Sequence, residues 1–403
     1  MRVLFTPMAW PTHYYPMMGL IWACRAAGHD VRVAAQPVLT DTIVGTGVIA
    51  VPIGGGYDFM AGVADAKKAA DGLAAKAGDG APPPDPMKHR MQLIMAKHVK
   101  MAEDMVPDLV AFAERWRPDI IVTDPLVYAA PPAAVAADAV LVRHLWGVDN
   151  ARQIGLPGNG ISEDDDPRAA WPEGLVDLYA RYGAKPEADV ATRTLDICPD
   201  SMQVEGVPNR VPMRFVPYNG TGSVPSWLLE PPSRPRVCVT WGSAATAVMG
   251  GDAFLVPQII EALSGLEVEI VVTLSASDRA RLGEAPEGVR VVSAMPLDIL
   301  LPTCAAIIHT SGAGTTLTSA LHGVPQVTIP QLPGGQDLTS VQLARTGAGI
   351  ELSTAEADVA AIRAAVAKIL STAGPRIAAG QLREEMLGQP TPAHAVTVLE
   401  SLR

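Results

Sequence analysis

The chain alternates short apolar runs with amphipathic stretches, and this pattern predicts most of its elements. Val3 to Phe5 reads as a buried strand. Met17 to Ala27 has helical periodicity and is closed by Gly28 at a C-cap position. Val31 to Ala35, Ile49 to Ile53 and Ile120 to Thr123 are further strands, and Arg143 to Gly147 contains another. After residue 235 the style repeats. Val237 to Thr240, Val268 to Leu274, Val289 to Val292, Ala305 to His309 and Val327 to Ile329 are strands, and Leu255 to Leu263 is a helix. Continuous apolar strands alternating with helices imply parallel sheets covered on both faces. Two such series in tandem imply two Rossmann-like domains.

The punctuation between elements sets the boundaries. Pro217 to Pro235 holds five prolines and two glycines, a linker composition. The expected division is an N-terminal domain over 1–218, a linker over 219–235, a C-terminal domain over 236–388, and a tail over 389–403 packing back on the first domain. Ala61 to Pro86, rich in Ala, Gly, Pro and Asp, reads as a mobile surface loop. The methionines that follow (Met87, Met91, Met95, Met101 and Met105) are spaced to fill a core or to line an adaptable apolar pocket. The acidic run from Ile161 to Arg168 reads as a solvated loop.

Composition narrows the function. At 403 residues the chain is long for one core. A formal charge of -11 without any basic run argues against nucleic-acid binding. The start reads as a strand rather than a signal peptide, because Pro7 and Pro11 interrupt any apolar region there. No stretch approaches the ~20 uninterrupted apolar residues of a membrane helix. A soluble cytoplasmic protein is the expectation. Cys24, Cys198, Cys238 and Cys304 are widely separated and read as free thiols, not as a zinc site.

The segment His309-Thr310-Ser311-Gly312-Ala313-Gly314-Thr315-Thr316 carries the clearest chemistry. A strand ends at His309, a Gly-rich turn follows, and Leu317 to Gly323 reads as a helix. Backbone N–H groups at such a helix start lack partners, and the helix dipole favours an anion. His309, Ser311 and Thr315 can add side-chain donors, while Gly312 and Gly314 allow close approach of a phosphate. Thr240-Trp241-Gly242-Ser243 ends the first strand of the same half, so Ser243 is expected to meet the same diphosphate. There is neither a G-x-x-x-x-G-K-[ST] loop nor a G-x-G-x-x-G after either first strand, which argues against a P-loop and a dinucleotide oxidoreductase.

These residues, with Gly323-Val324-Pro325-Gln326 and Gly347-Ala348-Gly349, resemble the donor signature of family 1 glycosyltransferases of the GT-B fold. Val237 to Thr240, Gly250-Gly251-Asp252 and Arg143 to Gly147 look more narrowly like bacterial enzymes that glycosylate antibiotic aglycones from TDP-deoxysugars. The resemblance implies two Rossmann-like domains facing each other across a cleft. It also implies inverting, metal-independent transfer with a TDP-sugar co-substrate, a hydrophobic aglycone and no cofactor. A helper protein and a homodimer remain open. The family's sugar-contacting Gln maps to Gln336; its Asp is displaced by one residue to Asp337, leaving that role open. Met295 and Leu297 fall where relatives seat the nucleobase.

Transfer requires a base for the acceptor hydroxyl. His13 lies in the loop after the first strand, where the carboxyl end of the sheet opens, and the resemblance also places the family's catalytic His there. Asp124, ending another strand, matches the supporting carboxylate that would orient the imidazole; a turn or N-cap role is the alternative. Trp10, Tyr14, Tyr57, Met60, Leu126, Val127 and Trp146 are the candidate acceptor contacts, with core packing the competing explanation for each. A sugar-nucleotide epimerase would need paired carboxylates, which are not evident. A non-catalytic binding relative would be expected to have lost His13.

Overall fold

The computed structural model describes residues 1–59, 86–242, 246, 250–293, 295–332 and 335–403. Met60, Ser243 and the expected surface loop up to residue 85 lie outside the described residues, as do the side chains of Met87 and Met91.

Seven strands form the first sheet: β1 (Arg2–Thr6), β2 (Asp30–Ala35), β3 (Ile49–Pro52), β4 (Ile120–Thr123), β5 (Val140–His144), β6 (Arg193–Asp196) and β7 (Arg210–Pro212). Their order is β3-β2-β1-β4-β5-β6-β7, and every pairing is parallel. Six strands form the second: β8 (Arg236–Thr240), β9 (Glu269–Leu274), β10 (Val289–Ser293), β11 (Ala306–His309), β12 (Gln326–Thr328) and β13 (Gly349–Glu351). Their order is β10-β9-β8-β11-β12-β13, again all parallel. Val3, Leu4, Phe5, Ile120, Ile121 and Val122 are fully buried, as are Val237, Cys238, Val239, Ile307 and Ile308, because helices cover both faces of each sheet.

Both sheets reverse direction between their first strand and the strand beside it, at β1/β4 and at β8/β11. Ligands of open parallel sheets bind outside the carboxyl ends of strands at such reversals. Thr6 pairs with Thr123 at one, and His309 with Thr240 at the other.

Met95, Met101 and Met105 are buried in the apolar cluster beneath the first sheet, so these methionines fill core. The helix after β11 runs Ala313–Leu321, four residues earlier than the apolar pattern predicted. Its weak helix formers are accommodated by hydroxyls bonding back one turn: Thr316 to Gly312 O at 3.0 Å, Thr318 to Gly314 O at 2.6 Å and Ser319 to Thr315 O at 2.8 Å. It ends before Gly323, whose φ of +65° stops the turn.

The segment between β7 and β8 holds one short 3-10 turn, Ser226–Leu228. Of two C-terminal helices, Ala373–Gly388 packs on the helix Ala313–Leu321 of the second domain and leads the chain back to the first, where Pro392–Glu400 packs on the helix Met18–Ala26. Leu382, Met386, Val396 and Leu399 share one apolar cluster with Phe5, Leu20 and Val33. Arg214 N–H donates to Pro390 O at 2.7 Å, and Arg403 pairs with Asp119 at 2.8 Å.

Candidate active site between the two sheets

After β1 the chain turns through Pro7–Trp10 into a short helix, Pro11–Tyr14, with proline at its first position. This carries His13 to the β1/β4 reversal. Asp124 follows β4 directly, its N–H donating to Thr6 O at 3.1 Å. His13 Nδ1 and Asp124 Oδ2 are 2.7 Å apart. His13 is 9 % exposed and Asp124 1 %. An ionised carboxylate only accepts hydrogen bonds, so the imidazole proton sits on Nδ1 and the lone pair on Nε2. Asp124 Oδ1 meanwhile accepts from Leu126 N–H at 2.8 Å. The turn role and the orienting role therefore belong to the same carboxylate, one oxygen each.

Trp146, in the loop after β5, has its ring centroid 4.4 Å from that of His13. The Trp10 ring lies nearly parallel to the same imidazole, with centroids 6.1 Å apart. Tyr57 joins Met8, Gln36, Val38 and Phe59 around an open pocket of about 180 Å³ at the carboxyl ends of β1 to β3. Leu126 is half-buried and Val127 buried, both packed in the cluster beneath the sheet. Tyr14 does not line this opening. It is fully buried with its hydroxyl 2.7 Å from Thr46 Oγ1, and burial pushes that phenol up to about 12. It serves the core: on a short helix, the residue beside His13 faces the sheet.

Across from this cluster lies the β8/β11 reversal. Gly312 is the N-cap of the helix Ala313–Leu321, with no side-chain cap, and the first intrahelical bond is Thr316 N–H to Gly312 O at 2.9 Å. The N–H groups of Ala313, Gly314 and Thr315 thus precede the helical ladder and form an anion-binding end. Thr315 is half-buried in that first turn. Ser311 has φ +62°, is fully buried, and its hydroxyl meets no partner. Such a conformation costs a non-glycine residue energy, and an unpaired buried hydroxyl costs more.

His309 differs from the expectation of a phosphate donor. Nε2 lies 2.8 Å from Gln326 Oε1, and Nδ1 accepts from Ser311 N–H at 3.1 Å. With both nitrogens engaged, the ring fixes the turn from beneath. Burial pushes it down to about 4, so it is neutral and adds no charge.

Gln336 and Asp337 open the helix Gly335–Arg345. Gln336 Oε1 accepts from the N–H groups of Gln331 and Leu332, each at 2.9 Å, which leaves its amide NH2 as the outward-acting group. Asp337 is exposed, and its charge adds to burial in raising the Glu351 carboxyl. Met295 and Leu297 follow β10 and pack on Leu300, Ile307 and Val324, an apolar wall beside the same crevice. Among the described residues no cluster of His, Cys, Asp or Glu could hold a metal ion.

The domains meet at the loop after β5. A side chain at Gly147 would place its Cβ 2.8 Å from Ala313 Cβ, and one at Gly335 would lie 2.9 Å from Asn150 Nδ2. Sequence reasoning quoted Gly147 only within a motif and missed Asn150 entirely. A lone Asn after a strand carries no periodic signal; only the three-dimensional contact singles it out.

Two Rossmann-like domains whose sheet reversals face one another across an anion-binding turn define a GT-B glycosyltransferase. The chain belongs to the erythromycin biosynthesis protein CIII-like family, whose N-terminal domain matches residues 22–242 and whose C-terminal domain matches residues 257–402. It is 41 % identical to 10-deoxymethynolide desosaminyltransferase of Streptomyces venezuelae, over the whole of this chain and 97 % of that one. It is 39 % identical to tylactone mycaminosyltransferase of Streptomyces fradiae, over the whole chain and 92 % of the relative. The solved structure of the spinosyn rhamnosyltransferase SpnG superposes with a TM-score of 0.82 at 29 % identity, covering 99 % of this chain and all of that one. SpnG structures with thymidine diphosphate and with spinosyn aglycone each match with a TM-score of 0.79. The chain is therefore a glycosyltransferase of the antibiotic type. No helix among the described residues is long and apolar enough to cross a membrane.

Proposed function

We propose that the protein transfers a deoxysugar from a TDP-sugar to a hydroxyl of a polyketide-type aglycone with inversion, without metal or cofactor, using His13 as general base. The observation that carries this is the 2.7 Å contact of His13 Nδ1 with Asp124 Oδ2 at the sheet reversal facing the diphosphate turn. Nε2 takes the acceptor proton as the hydroxyl oxygen bonds to the anomeric carbon. The bond from that carbon to the phosphate oxygen breaks, and TDP leaves. Asp124 stabilises the imidazolium so formed. The N–H groups at Ala313–Thr315 and the hydroxyls of Ser311 and Thr315 hold the leaving diphosphate. The charge arriving there on bond cleavage meets dipoles already oriented for it.

The relatives' names, a desosaminyltransferase of 10-deoxymethynolide and a mycaminosyltransferase of tylactone, support the class of acceptor and donor. The apolar wall at Met295 and Leu297 suits a base held by packing, and Gln336 offers its NH2 to sugar oxygens. The test is His13→Ala: transfer should disappear while TDP affinity stays within about two-fold, and retained turnover rejects the base assignment. Undiminished turnover in EDTA is expected; a metal requirement rejects the proposed mechanism.

A further inference from the structure

Two successive residues at the start of the linker hold on to different domains. Tyr218 stays with the first: its ring meets those of Tyr15 and Trp22 edge-on, with centroids 4.9 Å and 5.6 Å away. Val216 lies equally close to the helix Met18–Ala26, where a Cβ added at Gly19 would sit 2.9 Å from Val216 Cβ. Asn219 bonds to the second domain. Its Nδ2 donates to Thr318 Oγ1 at 3.3 Å, and its Oδ1 accepts from Asp298 N–H at 3.1 Å.

Both partners lead to the donor side. Thr318 has a single hydroxyl proton, and it goes to Gly314 O at 2.6 Å. The hydroxyl therefore accepts from Asn219 through a lone pair, and amide, hydroxyl and the Gly314 carbonyl form one chain in which each bond polarises the next. Gly314 carries one of the N–H groups at the start of the diphosphate helix. Asp298 is the second residue of the helix Leu297–Leu300, whose N-cap is Pro296 and which has no side-chain cap of its own. Asn219 supplies the missing acceptor from outside, the service an N-cap side chain gives its own helix. That helix begins with Leu297, part of the apolar wall. Asp298 Oδ1 then lies 2.8 Å from Nε2 of His322, the residue that ends the diphosphate helix. A linker that served only as a spacer would need none of these bonds; residues 221–224, just beyond, are exposed.

We infer that Asn219 is a positioning residue for the nucleotide: acting through Thr318 and Asp298, it fixes the spacing between the diphosphate turn at Gly314 and the apolar wall at Leu297. The inference rests on the donor-site reading above. A nucleoside diphosphate has two ends, and both must fit at once. The distance between the element that holds the charge and the element that holds the base then sets affinity, and one side chain of the linker ties the two together.

The experiment compares wild type, Asn219→Ala, Asn219→Asp, Thr318→Val and the Asn219→Ala/Thr318→Val double variant. TDP affinity is measured by calorimetry, kcat and KM with the TDP-deoxysugar that the wild type turns over, and melting without ligand verifies folding. Asn219→Ala should weaken TDP about five- to ten-fold and raise KM in step, with kcat within about three-fold, because a group that places the nucleotide alike in the ground and transition states acts on KM. Asn219→Asp keeps an acceptor for Asp298 N–H but loses the NH2 facing Thr318, so it should fall between wild type and Asn219→Ala. The double variant should bind TDP no more than about two-fold more weakly than the weaker single one, since both changes break the same chain. Unchanged TDP affinity in Asn219→Ala, or in Thr318→Val where the alanine variant does not fold, overturns the inference. So does a fall in kcat with KM unmoved, the mark of a contact that sets only how the domains approach. Additive losses in the double variant, or an Asp variant as weak as the Ala one, overturn it as well. If wild type itself does not bind TDP, the donor-site reading fails and the role of Asn219 fails with it; wild-type binding that Asn219→Ala leaves intact rejects the inference alone.

Discussion

Asp124 divides its two oxygens between His13 and the backbone of Leu126: Oδ2 is 2.7 Å from His13 Nδ1, and Oδ1 accepts from Leu126 N–H at 2.8 Å. The carboxylate cannot rotate away from the imidazole without breaking its own turn, so the tautomer of His13 is built into the end of β4. Asp124→Asn preserves size and can keep the turn through its carbonyl oxygen, but then offers an NH2 to Nδ1. The imidazole would have to place its proton on Nε2 and lose its basic lone pair there. We expect kcat to fall by about two to three orders of magnitude, TDP affinity to hold within two-fold, and thermal stability to change little. Rapid-quench or steady-state assays with calorimetry check this, and near-normal kcat would mean that Asp124 is only a turn residue.

Ser311 separates stability from binding. Its φ of +62° and unpaired buried hydroxyl are both unfavourable in the free protein. Ser311→Ala removes the orphan hydroxyl, and Ser311→Gly also relieves the left-handed backbone, a gain of about 1 kcal/mol. Both variants should unfold at the same or a higher urea concentration than wild type. Both should bind TDP about three- to ten-fold more weakly if, as proposed, the hydroxyl donates to the diphosphate. A variant less stable than wild type, or one that binds TDP equally well, contradicts this account.

Much of this was legible in the chain. The strands announced themselves through runs such as Val237–Thr240 and Ile120–Thr123, where burial on both faces demands continuous apolar residues. Chemistry at strand ends was readable too, since His13 and Asp124 each follow a strand in a parallel sheet. Three things were not. The helix start at Ala313 was hidden because Gly and Thr are weak helix formers, and only their back-bonded hydroxyls and the packing of Leu317 and Ala320 reveal it. The engagement of His309 depended on Gln326, seventeen residues away on the next strand. Tyr14, a candidate acceptor contact with core packing as its alternative, went into the core, and Asn150, for which the sequence carried no signal, lies against Gly335 of the other domain.

Buried histidines set the acid response. His98, His144 and His309 are each pushed down to about 4 by burial. Unfolded, they titrate near ~6.5, so as pH falls below that value the unfolded chain takes up protons that the folded chain refuses. Their contribution is complete above pH ~6.5 and is lost as pH falls towards 4. Asp149 opposes them: burial raises it to about 6, so the folded state binds its proton first, and its contribution is lost as pH rises through 6. Asp196 and Glu351, likewise raised by burial, oppose the histidines in the same sense as Asp149, so the excess of protons on the unfolded chain near pH ~5 is smaller than the three histidines alone would give. Urea midpoints at pH 7, 6 and 5 should therefore fall steadily. His144→Phe should flatten that fall, because the ring is buried and neither nitrogen meets a hydrogen-bond partner of ordinary geometry. Parallel slopes for the two proteins would rule out His144 as a contributor.

Gly147 tests whether the two halves must meet. It is buried at the domain contact, and a Cβ there would lie 2.8 Å from Ala313 Cβ, closer than two carbons can sit. Neither Cβ can rotate aside, so Gly147→Ala must hold the first turn of the diphosphate helix away from the loop that carries Trp146 and Asn150. A misplacement on the order of an ångström at a reacting centre can cost about a hundred-fold. We expect Gly147→Ala to lower kcat/KM at least ten-fold while TDP, which the proposed donor site assigns to the second domain, keeps its affinity. Ala313→Gly alone removes only the facing methyl and weakens one helix position by about 1 kcal/mol. In the double variant the new methyl enters the space the old one left, so activity should recover most of the loss, and the two changes should be strongly non-additive. Additive losses in that cycle would show that the 147–313 contact does not set the distance between base and donor.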